Sequence, residues 1–170
     1  MANLTIKQLK FMIEEKGQEN FVGMDFPGLD LSNFDFSGLT FSGCDFHHTA
    51  LHNVKFRKAF LEECDFRDAK THNADFSDAK MKKVDLRKTE LMESSFYHTD
   101  LTEAKLIGAF MMDAKFTNAI MKKADLRGAD MKGTSFFGAD LTEANLDKAK
   151  IKNTDFKNAK LLKVIGDKPS

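Results

Sequence analysis

The chain has 170 residues, the length of one domain, with 26 Lys and Arg against 26 Asp and Glu. That balance leaves neither the basic excess that marks direct nucleic-acid or anionic-membrane binding nor a strong acidic excess. The aromatic set, seventeen Phe with one Tyr and no Trp, suggests many copies of one buried niche that accepts a ring without a polar atom.

Residues 4–16 read as a helix. Thr5 and Gln8 fit a capping box, Ile6, Leu9, Met12 and Ile13 share one face, and Gly17 suits the left-handed position after a helix end. Residues 1–20 are expected to cap the open end of a repeat region that begins at Phe21. No basic, apolar and small-residue order marks a signal peptide, and no run approaches the ~18 apolar residues of a membrane span. A cytoplasmic protein is the expectation, with no membrane partner.

From Phe21 onward a five-residue rhythm sets in. Every fifth residue from Phe26 to Leu161 is Phe, Leu, Met or Ile, apart from Thr71. Within that rhythm Phe36, Phe56, Phe76, Phe96, Phe116, Phe136 and Phe156 recur at a spacing of twenty. A period of five inside a period of twenty means four short segments per turn of a solenoid. The site two residues before each centre is large only in the first turn, at Met24, Leu29, Phe34 and Leu39. Beyond that it holds Ala, Cys, Val, Thr or Ser, as at Cys44, Ala59, Ala79, Ala104 and Ala129. Large and small inward residues alternating with outward ones give short extended segments and turns. Four of these close a square coil, and successive coils stack as parallel strands about 4.8 Å apart. No unit carries an insertion, so no loop is expected to project.

The units Ala124-Asp125-Leu126-Arg127-Gly128, Ala139-Asp140-Leu141-Thr142-Glu143 and Ala144-Asn145-Leu146-Asp147-Lys148 carry a recognisable motif. Over residues 21–165 the chain resembles the pentapeptide-repeat proteins, whose unit is roughly Ala-(Asp/Asn)-Leu-X-X. The resemblance implies an all-β solenoid, a right-handed quadrilateral β-helix of about seven coils, here with the short N-terminal capping α-helix. Residues 166–170 are expected to form a flexible tail.

On the outside, Glu63, Lys83, Glu103, Lys123, Glu143 and Lys163 alternate in sign along one column, a device that pins register. Asp25, Asp45, Asp65, Asp85 and Asp125 form a second column, broken by Lys105. Its carboxylates could hold a cation, imitate phosphates, or accept hydrogen bonds from turn amides, the last being the ordinary role of Asp in turns. His52 and His72 stack at one outward position and open the question of a metal, but zinc needs three or four ligands and none clearly completes the set. Cys44 and Cys64 occupy one small inward site on successive coils and are expected as buried free thiols.

Outward apolar residues point to interaction. Phe60, Met92, Ile107, Phe110, Met112, Ile120 and Phe137 face out, and Met92, Ile107, Phe110 and Met112 gather at one corner as a candidate partner-binding patch. At the far end, Leu161, Leu162, Val164 and Ile165 finish the rod without a helical cap and form a candidate dimer end, closed by a two-fold axis. The solid core and flat walls offer no pocket and no converging nucleophile, base and acid, so no catalytic residue, cofactor or metal is expected. The expectation is a non-catalytic scaffold for binding an as yet unknown protein. The resemblance implies two alternatives: a DNA-mimicking inhibitor or protector of a type II topoisomerase such as DNA gyrase, and a secreted bacterial effector module.

Overall fold

The computed structural model describes residues 5–166. The expected tail at 167–170 and the first residue of the expected helix lie outside that range.

Helix α1 spans Ile6–Lys10. Thr5 caps it as the sequence predicts: its Oγ1 accepts from the Gln8 N–H at 3.3 Å, while its own N–H donates to Gln8 Oε1 at 2.9 Å. The remainder of the expected helix departs from α geometry. Phe11–Glu15 forms a π-helix, closed by the Lys16 N–H on the Phe11 carbonyl at 3.2 Å. Gly17, at φ 60°, turns the chain out of it, and the Gln18 N–H donates back to the Met12 carbonyl at 2.9 Å. The widened turn still leaves the apolar face on the solenoid. Leu9 is fully buried, and Ile6, Met12 and Ile13 pack partly buried against the same core. The Lys10 ammonium lies 5.4 Å from the centre of the Phe34 ring.

The solenoid follows from one repeated unit. Around Phe36, the Phe36 N–H donates to the Lys55 carbonyl at 2.7 Å and the Gly38 N–H to the Arg57 carbonyl at 2.8 Å. The Lys55 N–H returns a bond to the Phe34 carbonyl at 2.9 Å, and the Leu39 N–H closes the turn on the Phe36 carbonyl at 3.2 Å. Each unit therefore gives two N–H groups to the coil above and receives one. Parallel bridges join residues twenty apart at every fifth position, from Asn20↔Thr40 to Asn145↔Ile165.

The corners explain the polar bias of the third turn position. Every such residue from Gly23 to Lys163 has positive φ, as a type II turn requires. Glycine takes some of these places. The others are Asn, Asp, Glu, Lys or His, with no β-branched residue among them. This conformation costs a non-glycine residue roughly 1–2 kcal/mol, and the flanking ladder bonds hold it. Gly166, at φ 92°, is required for a different reason: a Cβ there would lie 2.7 Å from Asp147 Cα.

Every centre residue from Phe21 to Leu146 is buried, Thr71 included. The phenylalanine column stands as a stack of rings, tilted by 31° between Phe36 and Phe56 and closer to parallel beyond, tightest between Phe96 and Phe116 at 4.5 Å and 3°. A second stack, Phe26, Phe46 and Phe66, meets it edge-on, with Phe46 and Phe56 at 5.8 Å and 75°. Polar residues at the small inward site bond to the coil below. Thr49 Oγ1 donates to the Phe26 carbonyl at 2.9 Å, and Thr99 Oγ1 to the Phe76 carbonyl at 2.7 Å. Thr71, the one polar centre, donates to the Glu90 carbonyl at 3.0 Å. No buried side-chain nitrogen or oxygen among the described residues lacks a partner. No helix among the described residues is long and apolar enough to cross a membrane.

Candidate interaction surfaces

With the interior filled, chemistry is confined to the walls and ends. The ladder fixes which side chains neighbour one another. Phe110 bridges Glu90 below and Asp130 above, so it stands on one wall between two carboxylates. Ile107 occupies the turn before it and Met112 the turn after it. The Glu93 N–H donates to the Met112 carbonyl at 3.1 Å, which sets Met112 directly over Met92. Phe110 is 45% exposed, whereas Met92, Ile107 and Met112 are only half-buried. Turns stacked at ladder spacing shield one another, so the corner is one exposed ring flanked by three partly covered side chains. Phe60, Ile120 and Phe137 are exposed as expected, but at other places on the walls.

The aspartate column does what turn chemistry dictates. Asp45, Asp65, Asp85 and Asp125 each accept the N–H two residues on, from His47, Arg67, Arg87 and Arg127. The three arginines then fold back onto the same carboxylates: Arg87 Nε lies 2.8 Å from Asp85 Oδ1, and Arg127 Nη2 lies 2.7 Å from Asp125 Oδ2. The Arg127 hydrogen bonds hold the Asp125 carboxyl below its ordinary range, against the opposing effect of burial. Arginines of its own chain thus offset three of the column's five carboxylates, Asp65, Asp85 and Asp125. The sequence carried the signal, Arg two residues after Asp at 65/67, 85/87 and 125/127, but its meaning depends on the curl of the turn.

In the charge-alternating column, Lys83 pairs with Glu63 at 3.7 Å and Lys163 with Glu143 at 3.9 Å. Glu103 and Lys123 form no ion pair among the described residues. The histidines are drawn into separate pairs. His72 Nε2 lies 2.7 Å from Glu90 Oε2, His47 Nδ1 lies 2.6 Å from Asp45 Oδ1, and the His52 and His72 rings meet edge to face at 5.1 Å. Glu90, on the next coil, was not evident as a partner from spacing alone. Among the described residues no group of three or more His, Cys, Asp or Glu is arranged to hold a metal ion.

Both cysteines are buried free thiols. Cys44 Sγ donates to the Phe21 carbonyl at 2.8 Å and Cys64 Sγ to the Phe41 carbonyl at 3.0 Å, the contact that threonine makes elsewhere. Burial pushes the Cys44 thiol up to about 11 and the Cys64 thiol higher still.

The C-terminal coil is open among the described residues. Its centre residues Ile151, Phe156 and Leu161 are only half-buried, Leu162 and Ile165 are exposed, and Val164 alone of the expected dimer-end residues is buried. At the other end, Phe11 and Val22 are exposed, which the repeat pattern did not single out; their places outside the inward positions were the available signal.

Comparison with known proteins places these features in a family. The family described as pentapeptide repeats (8 copies) matches residues 94–133 and 132–161, and the pentapeptide repeat region matches residues 18–96. No curated protein sequence matches the chain. Among solved structures, a trypsin-treated form of QnrB1, a plasmid-mediated fluoroquinolone resistance protein, is 18% identical with a TM-score of 0.60, covering 88% of this chain and 92% of its own. HetL, a pentapeptide repeat protein involved in heterocyst differentiation regulation from the cyanobacterium Nostoc sp. strain PCC 7120, is 20% identical with a TM-score of 0.48, over 96% of this chain and 95% of its own. A pentapeptide repeat protein from the Arabidopsis thaliana thylakoid lumen is 34% identical with a TM-score of 0.39, over 63% of this chain and 68% of its own.

Proposed function

The chain belongs to the pentapeptide repeat family and folds as its right-handed quadrilateral β-helix, and from that premise we propose that it is a non-catalytic scaffold that docks another protein at the Phe110 corner. The observation that carries this reading is the exposure of Phe110 between Ile107 and Met112, above Met92, on a wall that is otherwise polar. A rigid ladder presents these side chains at fixed spacing, so association loses little ordering entropy. Methionine beside an aromatic ring gives an adaptable contact surface. Glu90 and Asp130 bracket the ring but are engaged by His72 and Lys150, so the apolar ring is the anchor offered to a partner.

The topoisomerase reading takes second place. A phosphate-imitating wall needs unpaired carboxylates in series, and Arg67, Arg87 and Arg127 cancel three of the five in the column that was its best candidate. The effector reading has no particular observation behind it.

The test is a triple substitution, Ile107→Ser, Phe110→Ser and Met112→Ser. Its circular dichroism and melting temperature are expected to stay close to those of the parent, because none of the three is a centre residue. Capture of partner from native lysate is expected to fall at least about tenfold, the loss of roughly 1.4 kcal/mol. Equal capture by parent and variant would remove the Phe110 corner as the site. Inhibition of gyrase supercoiling by both proteins alike would move the second reading to first place.

A further inference from the structure

The large apolar side chains with the greatest exposure among the described residues all lie at the ends of the rod. Leu162 is 65% and Ile165 57% exposed at the C-terminal end; Val22 is 56% and Phe11 51% exposed at the N-terminal end. On the walls no large apolar side chain exceeds 45%.

The two ends carry opposite charge. At the N-terminal end six exposed acids, Glu14, Glu15, Glu19, Asp25, Asp30 and Asp35, stand against three exposed lysines, Lys7, Lys10 and Lys16, and Lys55 reaches down to Asp35 at 3.9 Å. At the C-terminal end Lys148, Lys150, Lys152, Lys157, Lys160 and Lys163 are exposed, with Asp147 and Asp155 the only acids between Leu146 and Gly166. Lys150, Lys160 and Lys163 reach down to Asp130, Asp140 and Glu143. Lys148, Lys152 and Lys157 have no such partner among the described residues.

The backbone has the same polarity. Each coil donates two N–H groups per unit to the coil above and receives one. The last coil therefore leaves the N–H groups of Ile151, Asn153, Phe156, Asn158, Leu161 and Lys163 without a backbone acceptor among the described residues. The first coil leaves the carbonyls of Asp25, Pro27, Asp30 and Ser32 without a backbone donor among them. A two-fold pairing of C-terminal ends, the arrangement expected from the sequence, would set lysine against lysine and a surplus of donors against the same surplus.

We propose that this protein self-associates head to tail, the lysine-ringed C-terminal coil of one copy seating on the acid-ringed N-terminal end of a second. Lysines meet carboxylates, and Leu162 and Ile165 are covered together with Phe11 and Val22. Helix α1 lies over the centre of the first coil through Leu9, so the contact runs along the perimeter and does not continue the ladder. Because each contact leaves one of each end unoccupied, the assembly is an open row whose length rises with concentration.

Sedimentation equilibrium of the full chain tests this. The weight-average mass is expected to climb past that of two copies as concentration rises, and association to weaken about tenfold between about 0.05 M and 0.5 M salt as the rims are screened. Reversing the unpaired lysines (Lys148→Glu, Lys152→Glu, Lys157→Glu) is expected to abolish association, as is reversing the other rim (Glu15→Lys, Glu19→Lys, Asp25→Lys). Mixing the two variants is expected to restore association as an open row in which the two alternate in one-to-one ratio, which shows that both are folded and that the two rims meet. A parent protein that stays monomeric at every concentration overturns the proposal. So does a closed dimer indifferent to the N-terminal reversal, which would mean C-terminal ends pairing about a two-fold axis, and so does a mixture that fails to associate.

Discussion

Asp125 shows how a single residue serves both the turn and the wall. Its Oδ1 accepts the Arg127 N–H at 3.3 Å and Arg127 Nε at 2.9 Å, so one carboxylate fixes the turn backbone and anchors a guanidinium. The Arg127 hydrogen bonds lower its pKa from an ordinary 3.8, while burial works the other way. A carboxylate depressed in the folded state stabilises the protein above the unfolded value and loses that contribution as pH falls through the folded one. Asp30 and Asp35 shift the same way through hydrogen bonds from Ser32 and Ser37. The melting temperature is therefore expected to hold from about pH 7 to about pH 5 and to fall below about pH 4. Asp125→Asn is expected to lose stability at neutral pH and to show a smaller acid-side fall, followed by circular dichroism melts. An unchanged acid-side fall would show that the Asp125 carboxylate does not stabilise the fold. The turn role of these aspartates was legible in the sequence, because Asp accepting from the amide two residues on needs only local geometry. The arginine clasp was not, since it depends on where the turn aims residue +2. Positive φ at the third turn position was also hidden, because a bias toward Asn, Asp, Lys and Glu reads the same for strained backbone as for mere exposure.

At the scale of the element, the phenylalanine column is a stack whose spacing the ladder dictates. Phe96 lies 4.8 Å from Phe76 and 4.5 Å from Phe116, with interplanar angles of 11° and 3°. Hydrogen bonds hold the coils above and below, so the walls cannot close over a missing ring. Phe96→Ala is expected to cost about 3–5 kcal/mol, the upper range for a buried ring. Phe156 ends the column half-buried, stacked only on Phe136 at 5.3 Å. Phe156→Ala is expected to cost about half as much, since part of its surface is already in water. Urea denaturation of the two variants measures the difference; equal costs would show that something covers the C-terminal end in solution. The column was fully readable because one bulky apolar residue recurring without exception at a spacing of twenty marks a buried face. The π-helix at Phe11–Glu15 was not, since Leu9, Met12 and Ile13 suit either winding and packing on the first coil decides between them. The Phe110 corner was legible as a cluster of outward apolar residues; how far stacked turns would cover Met92, Ile107 and Met112 was not.

Across the whole molecule, each coil touches only its neighbours, so stability accumulates along the rod and the ends set the boundary conditions. One end is closed by α1, which its capping box starts and buried Leu9 ties to the first coil. The other leaves Ile151, Phe156 and Leu161 half-buried and a row of N–H groups without backbone acceptors among the described residues. A net charge of zero concealed the corresponding electrostatic polarity, because acids gathered at one end cancel lysines at the other. In a dilute sample, amide hydrogen exchange is expected to be fastest between Ile151 and Ile165 and to slow progressively toward the coils around Phe96 and Phe116. Opening there requires every coil beyond it to open first. Raising the protein concentration should then slow exchange at both ends together and leave the middle unchanged, because head-to-tail contact covers one of each kind of end. Protection gained only at the C-terminal coil would instead identify pairing between like ends. Uniform protection along the rod at low concentration would show that the last coil is as firmly held as the middle, and that the coils open as one unit.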